Sequence, residues 1–283
     1  VEGDYDGVRP MGLVQFARPG DETEDDPGDV RELTLSVAVD GEVRDRATVQ
    51  WRVLAEGVDL RRIDDEEVVG DLLVPPGEGP HPGVVVLGGS GGGVPTGPRA
   101  KLLASRGYAV LAPAYFQATD IGETTDEEYD TDHLPERLEA VPVEYAERAV
   151  EWFREQPPVR SDPVGVLGGS RGSELALMLG ARLDAVRTVV ATAPRGYRFA
   201  APTEEGGPAW TADDEPLPYV ENGGFWRTFV RVFWAKFTRA DAFAMTPMFR
   251  RAVGGASDAD LAAATIPVED VGGPVLLVSG GDD

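Results

Sequence analysis

Cysteine is absent from the 283 residues. That excludes disulfides, a thiol nucleophile and thiolate-bound metal. Histidine is nearly absent: only His81 and His133 occur, far apart in sequence, too few for a histidine-based zinc site. No metal and no cofactor is expected. Lysine is confined to Lys101 and Lys236, and bases as a whole are scarce, 26 against 50 acids, for a net charge of −24. The acids lie in scattered runs (21–26, 64–67, 213–215) rather than one tail, the pattern of a solvated acidic surface. An excess this large points to a salt-rich cytosol, where screening suppresses self-repulsion, and speaks against nucleic acid or an anionic membrane as partner. No apolar stretch approaches the roughly 20 residues needed to span a membrane, and no signal peptide is visible, so a cytoplasmic setting is expected.

What is present suffices for a large core: 42% of residues are hydrophobic, enough for one big α/β domain, or that plus a small one. Leu33 to Val39 alternates in the strand period, Asp40-Gly41 is a type I′ turn signal, and Ala47 to Leu54 returns. This hairpin reads as part of a small β domain. Val58 to Ile63 and Val68 to Val74 form a second strand pair. Gly83 to Leu87 is a continuous apolar strand of the kind buried on both faces. A helix from about Arg99 to Ser105, a strand from Tyr108 to Ala112 and an amphipathic helix from Val143 to Gln156 follow. Arg187 to Ala191 and Pro274 to Ser279 are further strands. Strand and helix alternating at this spacing predict an α/β fold with a parallel, doubly wound sheet. Residues 194–265 break the alternation. Phe225 to Phe237 has helical spacing and is either a core-facing helix or a cap whose apolar face covers an acyl-chain pocket.

The chain is organised around Val164 to Leu179. An apolar strand turns directly into a helix rich in Ala and Leu, and Gly168-x-Ser170-x-Gly172 sits at the turn. An ordinary Gly-rich βα loop is the plain alternative, but strand, turn and helix are the setting of a nucleophile elbow. A strand that becomes a helix at once strains its central residue and crowds the neighbouring backbones, so glycines flank the serine on both sides. The Ser170 Oγ would stand exposed beside helix N–H groups suited to a developing oxyanion.

A serine hydrolase also needs an oxyanion hole, a base and an acid that orients the base. Gly88-Gly89-Ser90-Gly91-Gly92-Gly93 can supply the first, with the N–H of Gly89 or Ser90 joining that of Arg171. A phosphate or dinucleotide cradle is the rival reading and fails on spacing: from Gly89 the third glycine position falls on Val94, and no G-K-[ST] follows. The acid is expected at a strand end well after the serine, where Asp282 and Asp283 stand, though such a pair also suits a turn. The base should come later still. His81 and His133 both precede the serine and read as structural or surface residues.

Taken together, Tyr5 to Leu13, Gly70 to Gly77, Pro82 to Gly93, Leu103 to Ala109, Ser170 to Leu177 and Pro274 to Asp283 give the chain its likeness to a known family. It resembles the acyl-CoA thioester hydrolases grouped with bile acid-CoA:amino acid N-acyltransferases. The resemblance implies a partial N-terminal β-sandwich at 1–56 and an α/β-hydrolase domain at 57–283, with a cap-like insert at about 194–265. It implies Ser170 as nucleophile, Asp283 as acid, and a histidine some tens of residues after that acid. Both ends are therefore expected to be truncated, and the 283-residue chain is expected to be nearly inactive by itself. The acyltransferase branch uses cysteine, so a serine favours water as acceptor. The expected activity is hydrolysis of acyl-CoA to free acid and CoA. A carboxylesterase or dienelactone-hydrolase-like esterase and a non-catalytic binding protein are the alternatives.

Overall fold

Where the chain first repeats the strand period it folds as a hairpin: β1 (Val30–Val39) pairs antiparallel with β2 (Glu42–Arg52). Asp40 and Gly41 link them with φ of 54° and 82°, both left-handed, as a type I′ turn requires. A bulge between Val37 and Ala38 shifts the register. The computed structural model describes residues 29–64, 67–119, 129–203, 205–222 and 246–280. The chain divides into two units, Val1–Val53, which holds this hairpin, and Leu54–Asp283.

The second unit runs β3 (Asp59–Asp64), β4 (Val69–Val74), β5 (Gly83–Leu87), α1 (Pro98–Ala104), β6 (Ala109–Pro113), the two-residue β7 (Val141–Pro142), α2 (Val143–Arg154), β8 (Val164–Gly169), α3 (Arg171–Arg182) and β9 (Val186–Thr192). The short β10 (Trp210–Ala212) and β11 (Glu215–Pro216), two helices at Thr246–Gly255 and Asp258–Ala264, and β12 (Val275–Val278) complete it. Seven strands form one sheet in the order β12-β9-β8-β5-β6-β4-β3. The five from β12 to β6 are parallel, as the alternation predicts. At the other edge β4 runs antiparallel to β6, and β3 to β4. The connection from β3 to β4 is too short for a crossover, so that pair can only reverse direction, and the sheet is mixed rather than wholly parallel.

The pleat sends alternate side chains to opposite faces, and each face has its own core. Leu73, Val86, Val110 and Ala112 pack with Ala100 and Ala104 of α1 on one side. Leu72, Val85, Leu87, Leu111 and Val166 pack with buried residues of α2 and α3 on the other. Helices thus cover both faces, which explains why β5 reads as an unbroken apolar run and β4 as an apolar one broken by Gly70 and by Asp71, whose carboxylate is hydrogen-bonded. The chain leaves β5 toward β6 on one side, while β8 pairs with β5 on the other. That reversal opens a crevice at the carboxyl ends of β5 and β8, the place where doubly wound sheets bind ligands. Among the described residues no helix is long and apolar enough to cross a membrane.

Candidate active site

Gly168 ends the apolar part of β8, and by Arg171 the chain is already helical. Only two residues make the reversal, and Ser170 takes φ 52° and ψ −118°, a region L-residues avoid. The flanking glycines are sterically required. A Cβ on Gly168 would fall onto the carbonyl oxygen of Gly172, and one on Gly172 onto that of Gly88. Neighbouring strands hold the strained residue in place. Ser170 N–H donates to Thr192 O at the end of β9 (2.9 Å), Thr192 Oγ1 donates to Gly168 O (3.3 Å), and Ser173 Oγ donates to Ser170 O (2.5 Å).

The glycine run after β5 arrives directly against this turn. A Cβ on Gly89 would lie 3.3 Å from Ser170 Cβ and 3.9 Å from its Oγ, a tight fit that shows how closely the loop approaches the turn. Tyr115 Oη donates to Gly88 O (2.6 Å), and Gly93 N–H donates to Phe116 O (3.0 Å), which tie the loop to the segment after β6. Farther along the loop, Thr96 Oγ1 and Tyr129 Oη both donate to the buried carboxylate of Asp71, at 2.5 and 2.7 Å. Among the described residues the backbone N–H groups of Gly89, Ser90 and Arg171 have no protein acceptor, and Ser170 Oγ has no hydrogen-bond partner. A serine hydroxyl therefore stands near N–H groups of the glycine loop and of the first residue of α3, an arrangement that could attack a carbonyl and hold the oxyanion that forms.

The structure brings Ser170, Arg171 and Gly89 together, with Ser90 next in the loop. Asp283 and its neighbour Asp282 lie outside the described residues, as do Phe225 to Phe237. His81 is at the far end of the sheet, ahead of β5: its N–H donates to Pro158 O and its carbonyl accepts from Arg160 N–H, both at 2.8 Å. His133 is exposed in the turn at 131–134.

Beneath the elbow lies a charged cluster that no sequence pattern marks. Glu174, fully buried one turn into α3, accepts from Arg171 Nη1 (2.7 Å) and Arg195 Nη1 (3.1 Å) on one carboxylate oxygen and from Trp210 Nε1 (3.1 Å) on the other. Its partners come from 21 and 36 residues away. The one local signal is a lone acid in an otherwise apolar helix. Tyr115, between Gly88 and the ring of Trp210, is pushed well above the usual phenol range by burial, with Arg171 pulling it partly back.

Residues 141–283 match the family described as BAAT / acyl-CoA thioester hydrolase, C terminal. The chain belongs to this family. Residues 69–205 also match the dienelactone hydrolase family. Among curated relatives, a bile acid-CoA:amino acid N-acyltransferase of Mus musculus is 34% identical over 66% of this chain and 45% of its own length. Acyl-coenzyme A thioesterase 1 of Rattus norvegicus is 33% identical over 66% of this chain and 44% of its own. The chain thus spans under half the length of these relatives. Among solved structures, a dienelactone hydrolase-like promiscuous phosphotriesterase from metagenomic libraries is 21% identical, with TM-score 0.36, over 47% of this chain and 58% of that one.

Proposed function

We propose that the protein hydrolyses acyl-CoA thioesters through an acyl-serine intermediate. Ser170 Oγ attacks the thioester carbonyl as its proton passes to a base. The N–H groups of Arg171 and of Gly89 or Ser90 hold the tetrahedral oxyanion. The C–S bond breaks, and CoA leaves as the thiol after taking up that proton. Water then attacks the acyl-serine, and the free acid departs. The base in this reading is a histidine that follows Asp283, which orients it; neither His81 nor His133 has the required position. One observation carries the proposal: in a member of this family, a strained serine is packed against a glycine loop whose Gly89 and Ser90 N–H groups have no protein acceptor among the described residues. Serine in place of cysteine favours water over an amino acid as acyl acceptor. The proposed setting is a salt-rich cytosol, on the net charge of −24.

The test is thiol release from a long-chain acyl-CoA in molar KCl, measured on the protein from its complete coding region with Ser170→Ala beside it. Release that disappears in the variant is the expected result. Equal release from both overturns the assignment of Ser170. The match of residues 69–205 to the dienelactone hydrolase family supports a second reading, hydrolysis of small carboxylic esters. A simple aryl ester turned over faster than acyl-CoA would select it.

A further inference from the structure

The cluster around Glu174 is unbalanced. That carboxylate is matched by Arg171, whose side chain is 3% exposed and whose Nη2 donates to Phe199 O (2.8 Å). Arg195 shares the same carboxylate oxygen, and Arg198, also within its field, donates to two carbonyls, Pro218 O (2.9 Å) and Ala263 O (2.6 Å). Among the described residues, two largely buried guanidinium groups therefore bond one carboxylate, and a third lies within its field on backbone carbonyls. Removing an unmatched charge from water is costly, and a chain with 50 acids and 26 bases does not lack for counter-ions.

Arg195 is the member of the cluster with room for another partner. Its side chain is 15% exposed, and its guanidinium carbon lies 3.8 Å from the centre of the Phe249 ring and 5.6 Å from that of Phe199. Nη1 is on Glu174, and its remaining N–H groups are not among the buried atoms that lack partners, so they reach open space. A planar fork held against aromatic rings is pre-organised for two oxygens of one anion. Burial pulls its pKa down and Glu174 pushes it back up, as expected of a cation short of negative charge. Its place in the fold matters too. Arg195 follows by three residues Thr192, whose carbonyl takes the Ser170 N–H, and Ala193 at φ 49° turns the chain between them. Arg195 is thus at the carboxyl end of the sheet, the end that carries Ser170.

We propose that Arg195 is an anion subsite of the catalytic crevice and takes a carboxylate or phosphate group of the substrate. This rests on the thioesterase reading for the word substrate, so its test uses equilibrium binding without turnover. Two probe pairs separate the sources: adipamate against adipamide for a carboxylate at the far end of an acyl chain, and CoA against pantetheine for the phosphates. Binding is followed by calorimetry on the whole protein at constant ionic strength, since a half-buried site is only partly screened.

For one pair the anionic member is expected to bind at least about tenfold more tightly than its neutral partner, and Arg195→Gln to abolish that preference. Arg195→Lys keeps the charge without the flat fork and retains only part of it. It also serves if the Gln variant does not fold. A wild-type protein that prefers neither anion overturns the subsite, as does an undiminished preference in either variant. Absence of thiol release with intact anion binding would remove the thioesterase reading and leave the subsite standing.

Discussion

At φ 52° and ψ −118°, Ser170 sits in a backbone region that glycine enters freely and L-residues do not. Replacing it by Gly and, separately, by Ala isolates that strain. Both variants lose the Oγ, which has no protein partner among the described residues, and both keep the N–H bond to Thr192 O. They differ only in a Cβ. A residue forced into such a region costs about 1–3 kcal/mol. Glycine returns about 0.5–1 kcal/mol of this through its greater freedom in the unfolded chain. Ser170→Gly should therefore be more stable than Ser170→Ala by about 0.5–2 kcal/mol. For a unit of this size that is a difference of roughly 1–8 °C in Tm. Urea titrations in molar KCl followed by circular dichroism resolve it, and neither variant should release thiol from acyl-CoA. An Ala variant as stable as the Gly variant, or more so, would refute the claim that the serine is held under strain.

The other expectations concern the walls around that residue. Gly172→Ala drives a Cβ onto the Gly88 carbonyl and should cost about 1–3 kcal/mol in the same titration, whereas Gly196→Ala, with no neighbouring atom within 4 Å, should change stability by under about 0.5 kcal/mol. Glu174→Gln leaves two guanidinium groups facing a neutral amide and should cost about 3–5 kcal/mol, as for other broken buried ion pairs. Tyr115 keeps its proton above the pH at which an unfolded tyrosine loses it, so its contribution to stability is complete below about pH 10 and declines as pH rises beyond. Denaturation midpoints from pH 8 to 11 should show that decline, and Tyr115→Phe should lessen it, the remainder coming from Tyr129, raised likewise by burial and by its bond to Asp71. Melting temperature should rise as KCl is raised to molar levels; a flat profile would count against adaptation of the −24 charge to salt.

Much of this architecture is legible in residue order, for definite reasons. β5 and β8 read as strands because both faces of their sheet are covered, and a doubly covered strand is mostly apolar; in β4 the one charged residue, Asp71, is buried with hydrogen-bond donors. The hairpin reads from Asp40-Gly41, since a two-residue link needs φ above zero twice. The elbow reads from its glycines because the clash they avoid is local. The start of α3 was less legible. Residue preference begins the helix at Glu174, yet it begins at Arg171, because packing of Gly172 against Gly88 overrides the weak propensity of Gly and Ser. The antiparallel edge formed by β3 and β4 follows from the brevity of their link rather than from any pattern. The Glu174 cluster was invisible for a different reason. Its members are two residues of α3, Arg171 and Glu174, and two far along the chain, and no period or motif connects Arg195 and Trp210 to a glutamate.

The strained turn also constrains when the site can exist. Contacts within the segment from Val164 to Leu179, such as Ser173 Oγ on Ser170 O, are joined by two from far outside it: Gly88, against which Gly172 packs, and Thr192, whose carbonyl takes the Ser170 N–H. During synthesis the serine leaves the ribosome before Thr192 does, so the bond that holds its N–H forms only once β9 has been made. The turn is therefore completed by closure of contacts between distant parts of the chain. A half-made protein carries the sequence of the elbow without its full set of restraints.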